Sequence, residues 1–143
     1  MILIDANLPI YAYDASDERH ERAKRWFTST LNGDEVIGFA LVTLLAFVRI
    51  ATNPGIHQHP LPTVDALAAV GSWLARSNVA MVTPTDRHWA VLAETAREGQ
   101  ARGPLLMDAH LAALAIEHGA VLATTDRDFA RFKRLRTIDP LAG

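Results

Sequence analysis

An α/β fold, with helices packed on a central parallel sheet of four to five short strands, follows from three observations. The apolar runs such as ILI and VLA are short and do not alternate with polar residues, as strands covered on both faces require. The segments between them carry apolar residues at helical spacing, and Gly, Pro or Asn stands at most of the junctions. Strands alternating with helices in this way imply a parallel sheet. The chain has 143 residues, 50% of them apolar, enough for one domain over 1–143 with its own core and too few for a second.

Residues 2–4 (ILI) form the first predicted strand. Ser16 is placed as the N-cap of a helix over DERHERAKRWFTSTLN, with acids in its first turn and Gly33 just past its end. EVIGFA at 35–40 is the second strand, and LVTLLAFVRIATN a helix stopped by Asn53-Pro54-Gly55. The following NPGIHQHPLP is irregular because of its prolines and glycine. Thr63 caps a helix to about Ser77, whose Val64, Leu67, Ala68, Val70 and Leu74 repeat at helical spacing. VAMVTP at 79–84 is the third strand. Asp86 starts the helix RHWAVLAETAREGQA. After Gly103-Pro104 the apolar helix LLMDAHLAALAIEHG runs to Gly119, AVLATTD is the fourth strand, and RTID before Pro140 a fifth.

Composition excludes several classes. The chain has no cysteine, so thiol catalysis, thiolate zinc sites and a disulfide scaffold are ruled out. No basic leader precedes Asp5, and the longest apolar stretch, 36–48, is shorter than the roughly 20 residues of a membrane-spanning helix. A cytoplasmic protein with no membrane partner is expected. The net charge is −2, without the overall basic excess of many nucleic-acid binders, but the cations are clustered. Arg127, Arg131, Lys133, Arg134 and Arg136 form one run, and Arg19, Arg22, Lys24 and Arg25 another.

Ligands of open parallel sheets bind beyond the carboxyl ends of the strands. Asp5 directly follows the first strand, Asp126 follows the fourth, and Asp128 lies two residues on. Asp108 heads a helical stripe of Leu111, Ala112 and Ala115. Singly, each has an ordinary explanation as a cap, a turn former or a group favoured by a helix dipole. Jointly they would repel one another on one rim unless a cation sat between them. A hard oxygen donor set without cysteine selects Mg²⁺, with Mn²⁺ possible, over zinc. That pairing suggests phosphodiester hydrolysis.

Asp5-Ala6-Asn7, DAHLAALAIEHGA at 108–120 and TTDRDFARF at 124–132 together resemble a PIN domain of the VapC toxin family, over nearly the whole chain. RIATNPGI at 49–56 is similar to the corresponding segment of mycobacterial-type VapC proteins. The resemblance implies a three-layer α/β/α domain that is the toxin of a type II toxin–antitoxin system. Such a toxin is an Mg²⁺-dependent endoribonuclease that cuts structured RNA, a tRNA or rRNA, and inhibits translation. The catalytic acids would be Asp5, Asp108 and Asp126, with Asp128 a fourth metal ligand. Asn7 matches a polar position beside the first acid, and Thr124 or Thr125 one that orients the last. A homodimer and a VapB-type antitoxin, whose C-terminal segment lies across the acidic groove, are the implied partners.

One position departs from the family pattern. Where a glutamate usually stands three residues before the arginine of the helix over 41–53, this chain has Ala46, ahead of Arg49. Thr43, one turn earlier, is placed to hydrogen-bond a metal-bound water instead. The missing acid also supports a second function, a nuclease-dead module that binds RNA and antitoxin without turnover. A haloacid-dehalogenase-like phosphatase is excluded, because that chemistry needs an aspartate at position 7, which is Asn.

The basic run at 127–136 begins just beyond the candidate ligands, and is expected to hold flanking RNA phosphates. His57 and His59 are assigned a surface or partner-contact role, having no third ligand in view. His110 points to a different helix face from Asp108, and His118 suits a helix C-terminus. Trp26, Phe27 and Trp73 are placed in the core or an interface.

Overall fold

The computed structural model describes residues 1–143. Five strands, β1 (Ile2–Ile4), β2 (Ile37–Ala40), β3 (Val79–Val82), β4 (Val121–Ala123) and β5 (Thr137–Ile138), form one sheet in the order β3-β2-β1-β4-β5. Every neighbouring pair is parallel. β1 is therefore central: the chain runs outward through β2 to β3, then crosses back to the other side of β1 for β4 and β5, leaving the ends of β1 and β4 side by side with Ile4 opposite Ala123.

Successive strand residues face opposite layers, and the core divides accordingly. Ile4, Ile37, Phe39 and Ala123 pack under α1 (Asn7–Tyr13), α2 (His20–Leu31), α3 (Leu41–Ala51) and α4 (Thr63–Leu74). Leu3, Val82 and Leu122 pack on the other face, with α5 (His88–Glu98) and α6 (Leu105–Glu117). The three-layer α/β/α arrangement thus arises from short strands whose two faces are both apolar. In the first layer Trp73 is the hub: its ring stacks on Phe39 at 5.5 Å and meets Phe27 and Phe47 edge-on at 5.0 and 4.8 Å. Its indole N–H donates to the Tyr13 hydroxyl at 3.2 Å, which removes the cost of burying that donor. Phe27 and Trp73 are core residues and Trp26 is partly buried against them, as the sequence suggested.

Several boundaries differ from the sequence reading. α1 was not anticipated, because Pro9 interrupts the pattern; it occupies the third helical position, where the backbone N–H has no intrahelical acceptor in any case. Ser16 does not cap α2. Its N–H and hydroxyl both donate to Asp14 Oδ1, at 3.0 and 2.6 Å, and Asp17 takes the Arg19 N–H, so the helix begins only at His20. Thr63 is the first residue of α4 with Pro62 in the cap position, and the helix stops at Leu74. Asp86 gives way to Thr85, whose hydroxyl accepts the Arg87 N–H ahead of α5.

The two helices of the second layer end in different ways. Gly119 closes α6 at φ 65°, with Gly119 N–H bonded to Ile116 O and Ala120 N–H to Ala115 O, the paired closure that favours glycine. At the end of α5 the left-handed residue is Gln100 (φ 52°), and the glycine stands one position earlier. A Cβ on Gly99 would lie 2.6 Å from the Phe132 ring, so here glycine serves close packing. No helix is long and apolar enough to cross a membrane.

Candidate metal centre

The register of β1 against β4 sets Asp5 beside Thr124. Asp5 N–H donates to Ala123 O at 3.0 Å, continuing the ladder one residue past the strand. Both Asp5 carboxylate oxygens have partners: Oδ1 takes the Ala6 N–H at 2.8 Å and Oδ2 the Thr124 hydroxyl at 2.7 Å. The same hydroxyl oxygen accepts the Asp126 N–H at 3.0 Å, so Thr124 ties the first acid to the loop that carries the last two. Asn7 Nδ2 donates to Thr125 Oγ1 at 2.9 Å and closes the loop from the other side. The Asn7 side-chain oxygen Oδ1 is buried with no protein partner.

Beyond Thr125 the chain turns into a short 3₁₀ helix, Arg127–Arg131, capped by Asp126, which accepts the Asp128 N–H at 2.9 Å. Asp126 and Asp128 therefore project from one turn. Asp108, in the first turn of α6, approaches from the second layer. One ligand oxygen each from Asp108, Asp126 and Asp128 lies within 4.8 Å of the others. Asp5 is outside that set, its oxygens being turned onto Ala6 and Thr124, while Asp128, the secondary candidate of the sequence, is inside it.

Electrostatics mark the cluster as incomplete. Burial, followed by the charges of Asp126, Asp5 and Asp128, pushes the Asp108 carboxyl up to about 6, against a small opposing effect of Arg131. Burial also raises Asp5, partly offset by the Thr124 hydroxyl and the Ala6 N–H. Like charges this close favour protonation or a bound cation. The donor set fits a hard divalent ion: oxygen ligands only, converging from three parts of the chain, with no nitrogen or sulfur donor among them.

A groove of about 640 Å³ opens beside the acids, walled by Asp5, Asp108, Thr43, Ala46, Arg49 and Met107. Thr43 is buried, and Ala46 lies on the wall where the family pattern has its glutamate. The basic run behaves differently from expectation. Arg131 donates to Gly99 O at 3.0 Å, Arg136 to Gly119 O at 2.9 Å, and Arg134 pairs with Glu94 and Glu98 at 3.3 and 3.2 Å. These cations fasten the segment 131–136 to the second layer, and Arg127 and Lys133 are the two members of the run without such partners.

A second cluster of titratable groups lies between α5 and α6. Glu117, its side chain only 1% exposed, accepts from Thr85 N–H and bonds His88 Nδ1, both at 2.8 Å. His88 Nε2 meets His110 Nδ1 at 2.9 Å. With Glu117 ionised, His88 donates from Nδ1 and accepts at Nε2 from His110, which satisfies every shared nitrogen. His110 accordingly faces α5 and not the metal cluster. Sequence reasoning missed this network, although one signal was available: Glu117 ends α6, where the helix dipole disfavours a carboxylate unless a partner compensates. His118 Nε2 bonds Thr83 O at 2.7 Å. His57, assigned a surface or partner-contact role, is half-buried against Asp14, Nδ1 to Oδ2 3.5 Å.

The PIN domain family model matches residues 2–135. Ribonuclease VapC37 of Mycobacterium tuberculosis is 42% identical over 142 residues, covering 99% of each chain. The structure resembles that of VapBC2 from Rickettsia felis bound to a DNA fragment from its promoter, with a TM-score of 0.68 and 16% identity over 96% of this chain and 98% of that one. It also resembles Mycobacterium tuberculosis VapC20, a sarcin–ricin loop cleaving toxin, with a TM-score of 0.65 and 22% identity over 95% and 99% of the chains. At these identities the two structures speak for the fold. The full-length relative and the family match, on a parallel sheet whose rim gathers four aspartates, establish that this chain belongs to the PIN-domain family of VapC ribonucleases.

Proposed function

We propose that residues 1–143 act as one PIN domain, a divalent-metal-dependent endoribonuclease that is the toxin of a VapBC-type pair and cuts structured RNA, tRNA or rRNA, to inhibit translation. The observation that carries this reading is the meeting of Asp108, Asp126 and Asp128 within 4.8 Å on the rim that also bears Asp5. Asp108, Asp126 and Asp128 would hold Mg²⁺, or Mn²⁺, with Asp5 completing the negative site. Bound there, the ion supplies a water of lowered pKa and charge stabilisation at the phosphate.

The chain's own contributions follow from its hydrogen bonds. Thr124 holds the Asp5 carboxylate and the Asp126 backbone in one arrangement. Asn7 and Thr125 stiffen the loop between them. The groove between α3 and the start of α6 receives the RNA strand. A cytoplasmic location, a homodimer and a VapB-type antitoxin belong to the same proposal, the antitoxin being supported by the VapBC assembly of the Rickettsia felis structure.

The test is cleavage of bulk tRNA and rRNA by the purified protein with EDTA, Mg²⁺ or Mn²⁺, comparing wild type with Asp126→Asn. Cleavage that needs both the ion and Asp126 supports the proposal. Ala46 in the groove wall favours the second reading, a nuclease-dead module that binds RNA and antitoxin. Failure of the wild type to cut with either ion, while still binding RNA, would give that reading the lead.

A further inference from the structure

The rim poses an electrostatic problem for any RNA ligand. Three carboxylates, Asp108, Asp126 and Asp128, around a divalent ion, with Asp5 on the same rim, carry more negative charge than the ion neutralises, so the site repels an approaching polyanion. A cation must therefore face the groove, since phosphate contacts dominate the affinity of proteins for RNA and DNA. Three members of the basic run that would have supplied it, Arg131, Arg134 and Arg136, are instead bonded to the protein's own carbonyls and carboxylates.

Arg49 meets the requirement. It lies on the groove wall with Asp5 and Asp108, is exposed, and takes part in none of the ion pairs of the chain. Its side chain makes no hydrogen bond; beyond the helix ladder only its backbone carbonyl is engaged, accepting from the Thr52 hydroxyl. Ala46 stands three residues earlier on the same wall of α3. A glutamate there would reach Arg49 at the spacing that forms helical ion pairs, and would add another negative charge to the groove.

We infer that Arg49 is a substrate-binding residue that grips a phosphodiester of the RNA strand flanking the scissile one, and that Ala46 leaves its guanidinium free to do so. The planar guanidinium can make two parallel bonds to a phosphate, which an ammonium cannot. Ala46 thus has a consequence beyond the lost metal ligand: it trades a carboxylate for an unencumbered cation at the groove. The inference rests on the ribonuclease reading for its substrate class.

The test uses bulk tRNA in two assays, cleavage kinetics and fluorescence-anisotropy binding, across a range of salt. Arg49→Gln should raise KM and the dissociation constant about tenfold, the effect of losing one charge-assisted contact, with kcat within about twofold of wild type. The slope of log affinity against log salt should become shallower by about one. Arg49→Lys should recover the salt slope but only part of the affinity. Ala46→Glu should also weaken binding, and Arg49→Gln should add little in the Ala46→Glu background, because both act on the same cation.

Unchanged KM, dissociation constant and salt slope in Arg49→Gln would overturn the inference. So would fully additive effects of Arg49→Gln and Ala46→Glu, which would mean that Ala46→Glu acts on the phosphate directly. Absence of cleavage by wild type would strike the ribonuclease reading alone, since the anisotropy assay still reports on Arg49.

Discussion

Two clusters of the same residue chemistry sit on α6, and they are built on opposite plans. Around Glu117 the groups are partnered inside the protein: Thr85 N–H and His88 on the carboxylate, His110 Nδ1 on His88. At the other end of the helix Asp108 meets Asp126 and Asp128, with no cation bonded to any of them. A carboxylate satisfied from within fastens helices together, whereas carboxylates gathered against their mutual repulsion are waiting for something from outside. Burial does not separate the two, because the structural glutamate is the more deeply buried. What separates them is that Glu117 is met by hydrogen-bond donors, and Asp108 by like charges.

The sharpest way to break the comparison is to remove one acid from each cluster and read both activity and stability. Asp126→Asn should lower RNA cleavage at least about 100-fold, a loss of roughly 3 kcal/mol in transition-state stabilisation, while leaving the thermal midpoint in EDTA unchanged or raised. Glu117→Ala should do the reverse. It strands the Thr85 N–H and the His88 ring, and denaturant unfolding should show a loss of about 2 kcal/mol, with kcat on tRNA within about twofold of wild type. Equal effects of both substitutions on activity would erase the distinction between the two clusters.

Asp108→Asn gives a smaller and pH-dependent signal. The Asp108 carboxyl titrates at about 6 in the folded protein and near 3.8 when unfolded, so between those values the native state holds more protons than the unfolded one. Stability in EDTA should therefore fall as pH rises from 4 to 6 and stay lower above. Replacing Asp108 by Asn removes that fall, so the variant should be more stable than wild type by about 1 kcal/mol at pH 7, after allowance for solvent screening of a partly exposed group, and no more stable at pH 4. With Mg²⁺ bound as proposed, the order should reverse, because wild type gains more binding energy from the ion than a variant that keeps only two of the three acids. A variant less stable than wild type at pH 7 in EDTA would show that Asp108 is held by a favourable contact that outweighs its burial and the like charges around it.

How far the sequence foretold this arrangement depended on whether the cause was local. The ends of parallel strands are local, and the rule that ligands gather there located Asp5 and Asp126 without coordinates. The helical stripe of Leu111, Ala112 and Ala115 likewise placed Asp108 at the margin of the core. Pairings between distant segments were illegible. Arg134 reads as a free cation until Glu94 and Glu98 are folded against it, and His88 as an ordinary helix start until Glu117 arrives from α6. The cap expected at Ser16 and the helix start expected at Asp86 failed for a related reason, since Asp14 and Thr85 offered the backbone competing bonds a few residues away. The finer geometry of the acids, with Asp128 gathered in and Asp5 held back by Thr124, depended on hydroxyl and backbone contacts that no spacing encodes.

Gly99 lies in none of these clusters, yet the position of two carboxylates rests partly on it. Its bare Cα admits the Phe132 ring, and its carbonyl receives Arg131, so the end of α5 fixes the segment that leads back to Asp126 and Asp128. A methyl group at position 99 would press on that ring and shift the turn as a lever moves about its fulcrum. Loss-of-function variants of this protein should therefore arise at a residue with no side chain, outside the acidic motif, and a mutational survey confined to the aspartates would pass over it.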